Sequence, residues 1–265
     1  MFDSFDRRID YLRVSVTDKC NLRCVYCMPE EGVPALRHED VLSFEEIRDV
    51  VETAVAMGVT KVRLTGGEPL VRRDVATLVG LLAGIDGIRD YAMSTNGIVL
   101  ADYAQRLAEA GLHRVNVSLD AVDPERYAAI TRGGDVRRVL AGIDAALAAG
   151  LRPVKINCVV RRSPDEADAQ AVTKYAAPLG LEVRYIRRMN LSAGDFSVVI
   201  GGAGGDCPRC NRLRLTCDGT VRPCLFSDLG FSVRELGARE AIERAVAAKP
   251  ASGRTSQQQF HAIGG

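Results

Sequence analysis

The sequence predicts an α/β chain whose residues 1–189 curl into a partial (β/α)6 TIM-type barrel, followed by a small cysteine-bearing domain over 190–265. Three observations predict it. Short β-rich runs alternate with helix-length segments, and that repetition calls for parallel strands joined by crossovers. Residues with chemical character fall just after the strands, at the end of such barrels where the loops gather. After Met189 the texture changes to closely spaced glycines and then to a crowd of cysteines and arginines.

The predicted strands are 11–16, 61–64, 91–94, 114–119, 153–160 and 182–186, and the predicted helices are 43–57, 73–83, 102–110, 136–149 and 165–179. Ser43 stands three residues before Glu46, the spacing of a capping box in which hydroxyl and carboxylate each satisfy a free N–H. Gly58, Gly111, Gly150 and Gly180 fall just past helix ends, where the chain needs a left-handed turn. Cys20 follows the first strand, Gly66-Gly67-Glu68-Pro69 the second, Thr95-Asn96-Gly97 the third and Asp120 the fourth. A charged helical segment is expected over 232–248. The polar residues 250–259 read as a flexible tail.

At 265 residues, with 47% hydrophobic and 26% charged, the chain is long enough for a large core and lies away from disordered compositions. Thirty-five basic against 34 acidic residues leave a net charge of +1. No global field draws the protein to nucleic acid or to a membrane, so any anion site is local. No apolar run of transmembrane length and no apolar leader core appear, which predicts a cytoplasmic protein. Eight cysteines there point to metal or redox chemistry before disulfides.

Cys20, Cys24 and Cys27 form C-x3-C-x2-C directly after a strand. Three soft thiolates can share one four-iron cluster and leave one iron open to another ligand. The alternative is a structural zinc site, for which His38 is the nearby fourth ligand. Cys207, Cys210 and Cys224 repeat the arrangement as C-x2-C-x13-C. Its alternative is a zinc ribbon completed by Cys217. Cys158, inside a strand, reads as a small buried hydrophobe.

Cys20-Asn-Leu-Arg-Cys24-Val-Tyr-Cys27 followed by Gly66-Gly67-Glu68-Pro69 resembles the radical S-adenosylmethionine (SAM) superfamily. The resemblance implies a barrel of the radical SAM type, with one [4Fe-4S] cluster on the first triad and SAM chelated to its open iron. It implies cofactor contacts from Tyr26, Gly66, Gly67, Glu68, Pro69, Ser118 and Met189. The glycines, lacking Cβ, let backbone come close to a bound ligand. Ser118 and Met189 also read as ordinary packing residues.

Cys210-Asn-Arg-Leu-Arg-Leu-Thr216, Asp218-Gly219 and Arg222-Pro-Cys224-Leu-Phe-Ser227 resemble the C-terminal cluster domain of the GTP 3′,8-cyclase family (molybdenum cofactor biosynthesis protein A), as do 12–29, 61–74, 94–97, 115–121, 155–158 and the terminal Gly264-Gly265. That resemblance implies a second [4Fe-4S] cluster on Cys207, Cys210 and Cys224, an external electron donor, and GTP as substrate. A 5′-deoxyadenosyl radical would take the ribose 3′ hydrogen, giving 3′,8-cyclo-7,8-dihydro-GTP for molybdopterin synthesis. Arg13, Arg63, Ser94, Lys155, Arg184, Arg212 and Arg214 would bind substrate, with Arg212 and Arg214 also stabilising the radical. Gly264-Gly265 would help order the site. A homodimer is compatible with it.

Arg212 and Arg214, two apart on an extended segment, project to one face and suit an anionic ligand. Thirty of the 35 basic residues are arginine, so a count of arginines selects no site. Two departures stand out. Only residues 190–206 separate the last barrel strand from the second triad, where family members carry a longer segment. Arg187 and Arg188 replace acidic or apolar residues before Met189. The alternatives are a radical SAM enzyme acting on another nucleotide or on a peptide, and a non-catalytic zinc module.

Overall fold

Alternating burial along the strands sets the architecture. In a computed structural model that describes residues 1–258 and 260, strands β1 (Tyr11–Ser15), β2 (Lys61–Thr65), β3 (Asp90–Thr95), β4 (Arg114–Ser118), β5 (Lys155–Val160) and β6 (Glu182–Arg187) lie parallel, in chain order, as a partial barrel. Val14, Leu64, Met93 and Val115 stand at one register level, and each is fully buried. Their face packs on the crossover helices, and each such side chain contributes about 1.5–3 kcal/mol. Partners across a parallel ladder share a face. The alternate positions, including Arg13, Arg63, Ser94, Asn116, Lys155 and Arg184, therefore line the concave side.

The crossovers are α1 (Phe44–Ala56), α2 (Val75–Ala83), α3 (Leu100–Glu109), the pair α4 (Pro124–Thr131) and α5 (Val136–Ala148), and α6 (Ala167–Ala176). Ser43 and Glu46 form the expected capping box. Gly58, Gly111, Gly150 and Gly180 all have positive φ, as their places past helix ends require. Helix α4 was not expected from the sequence. Its signal was present, because Asp123 caps the Arg126 amide and Pro124 occupies the first turn.

Beyond the barrel, β7 (Arg212–Leu215) adds to the free edge of β1 in parallel, followed by antiparallel β8 (Thr220–Arg222) and β9 (Phe231–Ser232). Helices α7 (Val233–Leu236) and α8 (Ala238–Ala247) cover this extension. Leu213, Leu215, Ile242 and Val246 join the same core as the barrel. Residues 190–206 make a tight connection: Asn190 and Asp195 pair across a turn, Arg187 is ion-paired with Asp195, and Ile200 bridges to Tyr185. Gly194 and Gly205 have positive φ there. A Cβ on either would overlap a backbone carbonyl oxygen, of Arg254 or Ser197 respectively, so the short link depends on glycine.

The expectation of a flexible tail over 250–259 is corrected for its described part. The Arg254 amide donates to the Phe226 carbonyl at 3.1 Å and the Ser256 amide to the Leu191 carbonyl at 2.9 Å. The Ser256 hydroxyl and the Gln257 amide both donate to Asp228 Oδ1, at 2.8 and 2.9 Å. Backbone groups otherwise open to water are satisfied by the protein, a partnership that polar composition does not reveal. Among the described residues, no helix is long and apolar enough to cross a membrane.

Candidate active site

The first cysteine loop leaves β1 and is held from two sides. The amides of Arg23 and Val25 donate to the carbonyls of Thr131 and Ile130 at the end of α4. Arg132, in the left-handed region, donates from one Nη1 to the carbonyls of Arg23 and Met28 at 2.9 and 2.8 Å. On the other side, the Gly67 and Glu68 amides donate to the Thr17 and Lys19 carbonyls at 2.7 and 2.8 Å. A Cβ on Gly66 would lie 2.7 Å from the Thr17 oxygen, and one on Gly67 would overlap the Lys19 oxygen. The glycine pair therefore lets the second-strand loop dock against the cysteine loop itself, a closer constraint than the ligand contact expected from the motif.

Cys20, Cys24 and Cys27 are half-buried and free, and they are close enough that charge on one disfavours charge on another. Burial is the main cause that pushes Cys24 up to about 12 and Cys27 to about 11. No cation is among the main influences on Cys24 or Cys27, and metal ligation is what would ionise them. Tyr26 lies between them, its hydroxyl donating to Asp120 Oδ2 at 2.5 Å, while the Val159 amide donates to Asp120 Oδ1 at 2.7 Å. Asp120 thus ties the loop to the ends of β4 and β5. Ser118, at the end of β4, stands two residues away.

Glu68 is 1% exposed, and its carboxylate accepts from the Leu70 amide, the Thr95 hydroxyl and the Asn96 amide. Burial raises it to about 7, against the pull of those hydrogen bonds. A carboxyl whose pKa is higher folded than unfolded binds more protons in the native state. Its stabilising contribution is present below the ordinary 4.5 and is lost as pH rises from there to about 7. Iron-free Glu68→Gln protein is expected to show a flatter fall of Tm across that window, with Asp120, raised by burial to about 6, supplying the residual slope. Melting curves at stepped pH check this, and equal slopes would count against it.

The concave face carries the predicted basic residues, and the structure divides them. Arg214, Arg13 and Arg63 stand at one register level on β7, β1 and β2. Burial lowers all three to about 10. Arg63 is 8% exposed, and no carboxylate lies within ion-pair distance of it among the described residues. Its Nε, with Thr65 Oγ1, Ser94 Oγ and Asn116 Nδ2, is buried without a hydrogen-bond partner among them. Burying such a cation and such polar atoms without partners is costly unless a ligand meets them. Lys155 and Arg184 differ, since both pair with Glu182, at 2.6 and 2.8 Å. Arg114 was not singled out from the sequence, and it is held by Asp90.

Cys207, Cys210 and Cys224 line a second cavity of about 80 Å³ together with Arg212, Arg214, Lys249 and Met189. Burial opposes ionisation of Cys210, but the charges of Lys249 and Arg212 outweigh it and bring the thiol to about 7. The two triads thus differ electrostatically. Cys217 is fully buried beside Ser15 and does not line this cavity, and Cys158 is core; His38 is exposed on a short turn. The zinc-ribbon alternative loses its fourth ligand.

A larger cavity, about 760 Å³, opens beside the first triad between Tyr26, Cys27 and Met28 on one side and Ser256, Gln257, Gln258 and Phe260 on the other. Met189 lines both cavities, at their junction. Gly264 and Gly265 lie outside the described residues.

The Radical SAM superfamily matches residues 14–176. The chain is 39% identical over 304 residues to the GTP 3′,8-cyclase of Thermodesulfovibrio yellowstonii, covering 94% of each protein. It is 42% identical over 325 residues to the GTP 3′,8-cyclase of Pelotomaculum thermopropionicum, covering 100% of each. That alignment spans 325 positions against 265 residues here, leaving 60 at which this chain has none. Among solved structures, native anSMEcpe with bound AdoMet and Cp18Cys peptide is similar in fold, with TM-score 0.64, 15% identity, and 96% of this chain and 88% of that chain covered. Streptococcus suis SuiB bound to S-adenosylmethionine follows with TM-score 0.63, 13% identity, and 93% and 65% covered. With its three-cysteine loop seated against the Gly66–Gly67 turn on a partial barrel, the chain belongs to the radical SAM superfamily and, within it, to the GTP 3′,8-cyclase family.

Proposed function

We infer that the chain cyclises GTP, joining ribose C3′ to guanine C8 after loss of the 3′ hydrogen, as the first committed chemistry of molybdopterin synthesis. The observation that carries this reading is the row Arg214–Arg13–Arg63, three guanidiniums at one register level, Arg63 buried and lacking any carboxylate partner among the described residues, Arg13 and Arg214 half-buried. A triphosphate suits such a row, since fork-shaped guanidiniums match phosphate oxygens.

As a radical SAM protein the chain uses SAM and a [4Fe-4S] cluster, which Cys20, Cys24 and Cys27 would hold. When bound, these supply a one-electron cleavage that yields a carbon radical able to take hydrogen from substrate. Tyr26, Gly66, Gly67, Glu68, Pro69, Ser118 and Met189 border that cofactor in this reading. Glu68 is already committed to three internal donors, so its part is to hold the loop rigid as well as to meet the cofactor. Cys207, Cys210 and Cys224 would hold a second [4Fe-4S] cluster. Arg212 and Arg214 line the same cavity, where they would bind substrate and stabilise the radical formed on it. Lys155 and Arg184 reach substrate only by sharing or releasing Glu182. An external donor supplies the electron.

The test is anaerobic incubation of the reconstituted protein with GTP, SAM and a reductant, followed by mass analysis of the nucleotides. A cyclised nucleotide formed in step with deoxyadenosine is the expected result. Deoxyadenosine without any altered nucleotide would overturn the reading and favour a peptide substrate.

A further inference from the structure

Lys249 is an ammonium group buried to 3% exposure, just past the end of α8 and far in sequence from any cysteine. Its Nζ donates to the carbonyls of Arg212 and Pro223, both at 2.7 Å. Those residues lie on different limbs of the second triad: Arg212 is two residues after Cys210, and Pro223 immediately precedes Cys224. The ionisable groups around Nζ are the Cys210 and Cys224 thiols and the Arg7 guanidinium. No carboxylate lies within ion-pair distance of Nζ among the described residues, so the anion that would meet this buried cation there is a thiolate.

Arg7 completes the arrangement from the other end of the chain. Buried and paired with Asp3 at 2.7 Å, it donates to the Cys207 carbonyl at 2.8 Å. It also donates to the carbonyls of Pro250 and Ala251, the two residues after Lys249, at 2.7 and 3.1 Å. Each of the three cysteine-bearing limbs is thereby fastened by one of two cations.

We propose that Lys249 and Arg7 form a clamp that holds the limbs of Cys207, Cys210 and Cys224 at the spacing an iron–sulfur cluster needs, with Lys249 also supplying the positive charge that metal-bound thiolates require. This rests on the second cluster of the preceding reading. Lys249 is a positioning residue: it acts through the cysteines and through the carbonyl of Arg212. Among the described residues the Cys20–Cys27 loop is fastened by backbone amides, by Arg132 and by the half-buried Arg23, and not by Lys249 or Arg7, so the effect belongs to the second triad.

The test uses the full chain, anaerobically reconstituted, with iron and sulfide analysis and redox titration followed by electron paramagnetic resonance. Two four-iron clusters give about eight irons per wild-type chain. Lys249→Met is expected to lose roughly half of that iron and the signal of the second cluster while keeping the signal of the first, which serves as the control for folding. Lys249→Gln, neutral but still able to donate to both carbonyls, is expected to keep more of the iron and to move the second midpoint potential to a more negative value. Lys249→Arg is expected to restore both. Full iron and an unshifted potential in Lys249→Met and Lys249→Gln would overturn the clamp. About four irons in the wild type would instead overturn the second cluster itself, a result visible before any variant is made.

Discussion

Gly67→Ala is expected to reduce deoxyadenosine formation by on the order of 100-fold or more, the scale that follows from displacing reacting groups by about 1 Å. The added Cβ would lie 2.7 Å from the Asp18 carbonyl oxygen and nearer still to that of Lys19, the residue before Cys20. Neither obstacle is the end of a flexible side chain. Relief requires the cysteine loop to move away from the β2 loop, breaking the bonds from the Gly67 and Glu68 amides. Cys20 would shift relative to Cys24 and Cys27, whose limb remains fixed to α4. Iron content after reconstitution, the cluster spectrum and deoxyadenosine release in the absence of GTP measure it. Wild-type values in all three would show that the loops can separate without cost, contrary to the geometry.

Arg63→Met is expected to change binding and stability in opposite directions. Truncating one member of a buried charged contact typically costs about 2–5 kcal/mol, so affinity for GTP should fall by at least about 30-fold. The ligand-free protein should become more stable by about 1–2 kcal/mol, because an apolar side chain of similar length replaces a desolvated cation that has no carboxylate within ion-pair distance among the described residues. Calorimetric titration with GTP and a urea melt of the same preparation measure the two quantities. A destabilised variant with undiminished affinity would mean that the guanidinium serves the fold. Lys155→Met should behave differently, since it frees Glu182 to keep Arg184 alone and removes no uncompensated charge.

Much of the barrel was legible in the sequence because its signals are local. Strand alternation, the Ser43 box and four glycines past helix ends each depend on neighbours within a few residues, and all were found where expected. Helix α4 had an equally local signal in Asp123-Pro124 and was overlooked. The strand character of 212–215 was visible as extended spacing, but its partner was not, since pairing with β1 joins segments two hundred residues apart. The same holds for Asp120 on Tyr26, for Arg7 and Lys249 at the second triad, and for Asp228 on the tail.

What the sequence determined by itself was the chemistry at hand: two thiol triads, a glycine turn and a set of arginines, on a strand–helix repeat that brings loops to one end. Only the tertiary structure decided which of those cations are left without a carboxylate among the described residues and which are already neutralised. Arg63 and Lys155 look alike along the chain, yet among the described residues one is buried without a carboxylate partner and the other rests on Glu182. The reason is that burial and Coulomb energy depend on distance in space, and those distances are set by strand register and by the 190–206 turn, whose close contacts no local pattern encodes.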